Sequence, residues 1–365
     1  MFTEVLTQGM RGNSMNIEDG KGSSGKGVGR RIGCSRIFPE GYYPVKRLMP
    51  GFSVSKRCQV TALSRRNLAA AKQSAAQHKI PLAFDSARDL CASSEVDAVL
   101  VTTPNACHLA DVLTAVAAGK PVLCEKPRAV SAKECKQMVE AARVRGLLLG
   151  VAQVFRFNES VRAMREWVAA ARMGRLVFAR AEFSFAAGST HPRKWIYDAA
   201  IAGGGPILDV GVHCVDTLWF VLGDEVVRLS ARAVSDEGSG TVESAASLTL
   251  EFSRGTLGNI TVSYRAAYRT PIELVGEHGV VRADNALNVE YPIEIQFLRD
   301  GTVEQTKTTS NHEVYALQVD AFAEAIEGKS EFPITSEEGW RNQQVLDAAL
   351  RSAKSGKVEE IPPLA

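Results

Sequence analysis

The sequence predicts an α/β protein in two parts, a parallel sheet with crossover helices followed by a larger open sheet that is mostly antiparallel. Residues 97–127 (DAVLVTTPNACHLADVLTAVAAGKPVLCEKP) follow the pattern strand, turn, helix, turn, strand, which is typical of a parallel sheet. After residue 156, segments with strand character follow one another with short turns between them, which favours antiparallel pairing. Two predicted helices, at residues 313–327 and 336–354, close the chain.

The composition is that of an ordinary globular protein, with 365 residues of which 45% are hydrophobic and 23% charged. Because 43 Lys and Arg residues nearly balance 41 Asp and Glu residues, we expect neither a nucleic-acid nor a membrane partner. Seven scattered cysteines without a CxxC pair predict reduced thiols and a cytoplasmic location. Residues 1–26, which are rich in Gly, Ser and charge, are interpreted as a flexible leader.

The first predicted strand and its turn depart from the usual dinucleotide-binding pattern. Residues 27–33 (GVGRRIG) occupy the place of the first strand of a Rossmann-type sheet, although the two arginines need partners if they are buried. Residues 33–38 (GCSRIF) then stand where a glycine-rich turn normally holds phosphate, with Gly33, Ser35 and Phe38 at its three glycine positions. Because only the first glycine is kept, this turn is the weakest part of the cofactor prediction.

The end of the second strand indicates which nicotinamide cofactor the protein uses. Residues 60–63 form the strand, Ser64 and Arg65 end it, and Asn67 is the expected cap of the next helix. An acidic residue at this position would bind a ribose 2′-hydroxyl, whereas serine with arginine suits a 2′-phosphate. We therefore favour NADP(H) over NAD(H). The alternative is a basic helix N-terminus on the protein surface.

The end of the strand within residues 97–127 provides the first candidate catalytic group. Ligands of parallel sheets bind outside the carboxyl ends of the strands, which places Asn105, Glu125 and Lys126 at the rim. Gly119 lies where the intervening helix needs a residue with positive φ. A charged pair closing an apolar strand is uncommon in a purely structural role, although a solvated Glu–Lys pair remains the alternative.

The remaining segments predict a Rossmann-type domain at residues 27–150 and an α+β domain at residues 151–365. Capping boxes are expected where Ser131 precedes Glu134 and where Thr335 precedes Glu338. The predicted strands of the second domain are residues 176–185, 226–234, 245–252, 256–264, 272–276, 280–283 and 293–297.

Residues 201–213 (IAGGGPILDVGVH) contain the second group of candidate catalytic residues. The three glycines allow close backbone approach at a helix entrance. Asp209 and His213 are four residues apart, so on one helix they would share a face at about 6 Å. A carboxylate beside an imidazole would orient it and raise its basicity. With Lys126 to stabilise an alkoxide, the set could oxidise a secondary alcohol. Alternatively, His213 is a core histidine and Asp209 a helix-turn carboxylate.

Three separated motifs together resemble the glucose–fructose oxidoreductase/inositol dehydrogenase (Gfo/Idh/MocA) family over roughly residues 27–355. They are T-P-N-x-x-H from Thr103 to His108, G-K-x-V-x-x-E-K-P from Gly119 to Pro127, and G-G-G-x-x-x-D-x-G-x-H from Gly203 to His213. The resemblance implies that Lys126 is the catalytic lysine, and that Asp209 and His213 are the acid/base pair.

The resemblance also implies binding residues. The phosphate-binding turn would use Gly33, Ser35, Arg36 and Ile37, and the nicotinamide-ribose side would be lined by Thr103, Pro104, Asn105, His108, Glu125 and Lys126. Residues 193–198 resemble an NADP-contacting loop in which Trp195 packs on the cofactor, although a Trp half-buried at a domain seam is equally expected. The substrate pocket would be lined by Arg156, Asn158 and Tyr197.

These observations predict an NADP(H)-dependent oxidoreductase that transfers hydride to or from a sugar, cyclitol or related polyol. A homo-oligomer, a dimer or a tetramer, is implied because the open sheet of the family commonly forms the dimer contact. The alternative is a non-catalytic relative with a degenerate dinucleotide-binding turn that binds a ligand or regulates. A metal-dependent enzyme is not favoured, because no third ligand accompanies Asp209 and His213 at a fixed spacing.

Overall fold

Two β-sheets and the helices packed on them organise the computed structural model of the protein. It describes residues 30–35, 48–188, 191–289, 292–311 and 313–362. The predicted leader at residues 1–26 lies outside the described residues, as do Arg36, Ile37 and Phe38 of the predicted phosphate-binding turn.

The first sheet has six parallel strands: β1 (Arg30–Ser35), β2 (Cys58–Ser64), β3 (Leu82–Phe84), β4 (Ala98–Val101), β5 (Val122–Cys124) and β6 (Leu149–Val151). Its helices are α1 (Met49–Val54), α2 (Leu68–His78), α3 (Ala87–Ala92), α4 (His108–Ala117) and α5 (Ala132–Val144). The strand order β3-β2-β1-β4-β5-β6 reverses direction between β1 and β4. This is the order of a dinucleotide-binding fold, whose crevice opens at the reversal, and the predicted fold class is confirmed.

Strand β1 is shifted from the predicted residues 27–33, since it spans Arg30–Ser35 and ends two residues beyond Gly33. Gly33 pairs with Ala62 of β2 and Val99 of β4, so it belongs to the strand and not to a turn beyond it. Arg31 is paired as its position requires, with Nη2 2.8 Å from Oδ1 of Asp97. Because a charge-assisted pair satisfies the guanidinium, the arginine is compatible with a sheet strand.

The predicted helix starts of the first domain are confirmed, and of the capping box predicted at Ser131 and Glu134 the Ser131 half is present. The Asn67 side chain accepts a hydrogen bond from Ala70 N at 2.9 Å and begins α2. Ser131 accepts one from Glu134 N at 3.3 Å and begins α5. Gly119 takes a φ of +74° after α4. Helix α1 was not predicted, because it is short and has no capping side chain.

The second sheet has ten strands: β7 (Leu176–Ala186), β8 (Val226–Val234), β9 (Ala245–Phe252), β10 (Leu257–Ser263), β11 (Arg265–Arg269), β12 (Ile272–Gly276), β13 (Gly279–Ala283), β14 (Ile293–Arg299), β15 (Thr302–Thr309) and β16 (Glu359–Glu360). Its order is β15-β14-β13-β12-β7-β10-β9-β8-β16, with β11 beside β7. Strands β7 and β10 are parallel and the other pairs are antiparallel. Strands β11, β15 and β16 were missed, because their mostly exposed residues carry little apolar alternation.

The helices of the second half are α6 (Glu159–Ala169), α7 (Ala199–Ala202), α8 (Pro206–Asp209), α9 (Gly211–Leu222), α10 (Val314–Ile326) and α11 (Ser336–Ser355). The predicted capping box of Thr335 and Glu338 begins α11. Helix α11 packs on α5 of the first sheet and on β8 of the second, and α10 packs on α1. The predicted boundary after residue 150 falls within β6, and the closing helices contact both parts.

Within the described ranges, no single helix is long and apolar enough to cross a bilayer. One bent pair, Ala199–Asp209 with Gly211–Leu222, has the length and composition but breaks by 43°.

Candidate active site

Lys126 and Asp209 form an ion pair beyond the carboxyl end of β5. The Lys126 Nζ donates to the Asp209 backbone carbonyl at 2.8 Å and to its Oδ1 at 3.1 Å. The two side chains are only 10% and 9% exposed. The end of β5 and the helix α8 therefore meet in one buried ion pair. Lys126 and Asp209 belong to different sequence motifs, and neither motif shows that the two residues are in contact.

The Asp209 carboxylate has two further partners. Arg193 Nη1 donates to Oδ1 at 3.2 Å and Nη2 to Oδ2 at 3.0 Å, while the Tyr264 hydroxyl donates to Oδ2 at 3.1 Å. Burial by itself would raise the pKa of Asp209, but the charges of Arg193 and Lys126 lower that pKa far below its usual range. Burial and the neighbouring carboxylate raise the pKa of Tyr264 well above its ordinary value. Asp209 is thus ionised and Tyr264 protonated.

The glycine run places Asp209 by letting the backbone pass close to its neighbours. Gly203 ends α7 with a φ of +84°. A Cβ on Gly205 would lie 2.1 Å from the Glu243 carbonyl oxygen. The Glu243 carboxylate accepts hydrogen bonds from Gly205 N at 2.9 Å and Ile207 N at 3.0 Å, where α8 begins. The predicted close approach at a helix entrance is confirmed, and Glu243 is a contributor that the sequence analysis missed.

His213 lies in the first turn of α9 and is 7% exposed. Its ring packs edge-on against Phe155 at 4.7 Å and stacks with Phe183 at 5.8 Å between centroids. Its Nδ1 is buried without a hydrogen-bond partner among the described residues. Burial, and next the charge of Lys126, lower the pKa of His213 well below its ordinary value, so the imidazole is neutral.

The predicted relation of Asp209 and His213 is therefore wrong in two respects. Val210 separates α8 from α9, so the two residues do not lie on one continuous helix. The carboxylate bonds to Lys126, Arg193 and Tyr264, and no hydrogen bond joins it to the imidazole in the part of the chain that the structure describes. The charge of Asp209 does raise the pKa of His213, but burial and the charge of Lys126 outweigh it, so the basicity of the imidazole is lowered.

The residues predicted for the nicotinamide-ribose side lie at the ends of β4 and β5 and are buried. His108 joins the two ends, with Nε2 2.8 Å from the Thr103 carbonyl and Nδ1 3.1 Å from that of Pro127. Asn105 Nδ2 donates to the Ala202 carbonyl at 2.8 Å. Glu125 accepts a bond from Lys126 N at 3.2 Å. Pro104 is buried beside them. These contacts hold the backbone that carries Lys126.

The residues predicted for the cofactor phosphates are only partly described. Gly33 and Ser35 lie in β1, at the strand reversal, and Arg36 and Ile37 fall outside the described residues. Ser64 is fully buried at the end of β2. Arg65 follows it, and its Nη1 donates to the Ala70 carbonyl at 3.1 Å and to Ser74 Oγ at 2.8 Å.

Two predicted substrate residues have a different role in the structure. Arg156 is 2% exposed, and its guanidinium donates to both carboxylate oxygens of Asp216 at 2.9 and 2.8 Å. Asn158 is fully buried and donates to the Asn288 carbonyl at 3.0 Å. Both side chains are buried and bonded to other parts of the chain, which favours a structural role for them. Their predicted contact with substrate stays a prediction.

Tyr197 and Trp195 lie in a one-turn helix, Lys194–Tyr197, near Asp209. The Tyr197 ring packs 6.1 Å from that of Tyr264, and its hydroxyl donates to the Ala187 carbonyl at 2.5 Å. Trp195 is half-buried, and the Arg193 guanidinium lies 5.8 Å from its ring centroid. Among the described residues, no three His, Cys, Asp or Glu side chains cluster as a metal ion would require.

A Rossmann-type sheet with a buried lysine–carboxylate pair and a neutral histidine beyond its strand ends fits a protein that binds a dinucleotide and carries out oxidation or reduction. Residues 32–153 match the family model described as oxidoreductase family, NAD-binding Rossmann fold, and residues 161–282 match the GFO/IDH/MocA C-terminal domain. The chain belongs to the Gfo/Idh/MocA family, as its three motifs indicated. Family membership favours the enzyme over the non-catalytic alternative.

The relatives are dehydrogenases and reductases. Over 291 residues the chain is 33% identical to 1,5-anhydro-D-fructose reductase of Ensifer adhaerens, covering 79% of this chain and 86% of the relative. It is 34% identical over 246 residues to trans-1,2-dihydrobenzene-1,2-diol dehydrogenase of Sus scrofa, covering 67% and 71%. The solved structure of levoglucosan dehydrogenase with NADH and levoglucosan matches with a TM-score of 0.82 at 19% identity, covering 92% and 100%, and shares the fold.

Proposed function

We propose that the protein is an NADP(H)-dependent oxidoreductase that interconverts a secondary alcohol and a carbonyl on a sugar, cyclitol or related polyol. The observation that carries this proposal is the buried Lys126–Asp209 pair at the carboxyl end of β5, next to the neutral imidazole of His213. By their names, one of the two relatives is a reductase of a sugar derivative and the other is a dehydrogenase of a cyclic diol. These names support the substrate class proposed here.

The residues at the strand reversal suit a dinucleotide. Thr103 Oγ1 is buried without a hydrogen-bond partner among the described residues, as expected of a hydroxyl that a ligand would engage. Thr103, Pro104, Asn105, His108, Glu125 and Trp195 would hold the nicotinamide end, and Gly33, Ser35, Arg36 and Ile37 the phosphates. When bound, the nicotinamide supplies hydride transfer. The preference for NADP(H) rests on Arg65 after β2 and on a serine, not a carboxylate, at position 64.

Lys126 is proposed to stabilise the developing alkoxide. An ammonium group carries three donors, and the structure directs two of them to Asp209. The third donor can bond the oxygen of the reacting carbon. Because the pair is nearly excluded from water, such a bond acts in a medium where electrostatic stabilisation is strong.

His213 is proposed to move the hydroxyl proton. A neutral imidazole accepts a proton during oxidation of the alcohol and returns it during reduction of the carbonyl. The rings of Phe155 and Phe183 hold it from two sides, which fixes its orientation. Tyr197, which packs on Tyr264 beside Asp209, remains the proposed substrate contact.

We also propose a homo-oligomer in a reducing, cytoplasmic compartment. Phe178 of β7 and Leu257 of β10 are cross-strand neighbours, 39% and 44% exposed, on the second sheet. Apolar residues paired on an open sheet face suit contact with a second copy. The cysteines whose side chains the structure describes are free thiols, namely Cys58, Cys91, Cys107, Cys124, Cys135 and Cys214.

The experiment that tests this function is Lys126→Ala, with turnover of a panel of sugars and polyols measured beside NADPH and NADH binding by energy transfer from tryptophan. We expect kcat to fall about 10²–10³-fold. Cofactor binding should change little, with NADPH bound more tightly than NADH. Lys133→Ala, an exposed lysine on α5, is the matched control and should behave as wild type. Wild-type turnover by Lys126→Ala would refute the assignment.

A further inference from the structure

Arg193 contacts the predicted catalytic set, although the resemblance placed it in a cofactor-contacting loop. It lies just before the one-turn helix Lys194–Tyr197 and is 25% exposed. Its guanidinium presents one nitrogen to each oxygen of Asp209, at 3.2 and 3.0 Å. Such a two-point contact fixes a carboxylate in position and orientation, which a single point charge cannot do.

The hydrogen bonds of Asp209 leave no vacant place for a proton. Oδ1 accepts from Lys126 and Arg193, and Oδ2 accepts from Arg193 and Tyr264. A carboxylate has about four lone-pair positions, so all are engaged by donors. A proton could be added only if one donor were expelled from a buried site. The remaining titratable groups that influence this cluster are His191, His213 and Glu243.

We propose that Arg193 is a positioning residue that keeps Asp209 ionised and immobile, so that Asp209 orients Lys126 and His213 carries the proton. This inference rests on the proposed function, because it assigns roles within the same site. The family resemblance implied that Asp209 and His213 act together as one acid/base pair, whereas this proposal gives the two residues different roles. Asp209 becomes a fixed counter-charge, and proton transfer remains with the one neutral imidazole.

The physical reason is the balance of burial and charge at Asp209. Burial raises its pKa, and the two cations more than offset that effect. Without Arg193, Lys126 and the Tyr264 hydroxyl alone would face a buried carboxylate. The pKa of Asp209 would then rise, and the carboxyl would protonate as the pH falls. A protonated carboxyl attracts Lys126 less strongly, so activity would be lost on the acid side.

The test compares Arg193→Gln and Arg193→Lys by the pH dependence of kcat and KM at saturating cofactor. Arg193→Gln should lower kcat roughly 10–100-fold, because a displaced catalytic group costs about that much. Its profile should gain an acid limb that the wild type lacks. Arg193→Lys keeps the positive charge and should remove that limb. Arg180→Gln, an exposed arginine on β7 paired with Glu273, is the control and should leave the profile unchanged.

The outcomes separate this inference from the proposed function. The positioning role is overturned if Arg193→Gln loses activity uniformly without a new acid limb, or if it keeps the wild-type pH profile. In either case the proposed function still holds as long as Lys126→Ala is inactive. Turnover by Lys126→Ala at the wild-type rate overturns the function itself. If Arg193→Gln does not fold, as judged by circular dichroism, Arg193→Lys decides: a lowered kcat with a wild-type pH profile supports the proposal, and a wild-type kcat or an acid limb opposes it.

Discussion

At the scale of single residues, the surroundings of the site give its groups different tasks. Asp209 has four hydrogen bonds from donors, three of them from the two cations Lys126 and Arg193, and His213 is enclosed by two phenyl rings. A carboxylate stabilised by cations stays ionised, while a buried imidazole stays neutral. The motif that contains both residues does not distinguish their tasks, because the distinction comes from neighbours distant in the chain.

The neutral state of His213 predicts a dependence of stability on pH. Its folded pKa lies below the unfolded value, so the unfolded chain binds more protons and stability is lost as the pH falls below about 6.5. His213→Asn should therefore reduce the loss of unfolding free energy between pH 6.5 and 5.5 by about 1 kcal/mol. Urea denaturation at the two pH values measures this. His278→Asn, at an exposed histidine, is the matched control. An equal loss of unfolding free energy between the two pH values in His213→Asn and in the wild type would contradict this prediction.

At the scale of elements, the placement of Asp209 depends on a helix entrance with no room for a side chain. Gly205 lies against the backbone of Glu243, whose carboxylate bonds the first amides of α8. The glycine run in the sequence predicted the close approach. It could not identify Glu243, because that residue reaches α8 from the loop between β8 and β9.

Gly205→Ala should displace α8 and with it Asp209. The added Cβ would lie 2.1 Å from a backbone oxygen, so one of the two segments must move. We expect kcat to fall by about 10²-fold, because a shift of about 1 Å in a catalytic group has that effect. Gly238→Ala, where the nearest atom would be 3.8 Å away, is the control. Kinetic assays together with circular dichroism would decide, and unchanged kcat in Gly205→Ala would show that α8 tolerates the shift.

At the scale of the whole molecule, a buried ionic network joins the two sheets. Arg156 follows β6 of the first sheet, Asp216 lies in α9, and Glu338 and Asn342 lie in α11. Arg156 bonds Asp216 and Glu338, and Asn342 Nδ2 donates to Asp216 at 2.8 Å. We infer from this network that Arg156, which belongs to a predicted pocket motif, serves the architecture.

Asp216→Asn should lower the free energy of unfolding by about 3 kcal/mol, because it leaves the Arg156 charge buried with a weaker partner. Substrate KM of the folded variant should stay within about twofold of wild type, which a substrate-binding network would not allow. Asp284→Asn, an exposed turn residue, should change stability by no more than about 0.5 kcal/mol. Denaturation in urea measures both. A raised KM with unchanged stability would restore the substrate role of Arg156.

The sequence by itself determined the features that depend on neighbouring residues. Alternation, helical spacing, caps and turn glycines act within a few residues, so the fold class, most of the strands and the caps of α2, α5 and α11 were predicted correctly, while the catalytic role of Lys126 stays a prediction. The division at residue 150 stays a prediction, since β6 crosses it and both closing helices contact the first part.

Only the tertiary structure decided which side chains meet. Arg193 and Tyr264 contact Asp209 from elements that share no motif with it. Arg156 and Asn158 are instead bonded to partners in α9 and in the loop after β13. The physical reason is that a buried charge must find partners in three dimensions. The local sequence pattern identifies the charged residue, but its partner is determined by how distant segments of the chain pack together.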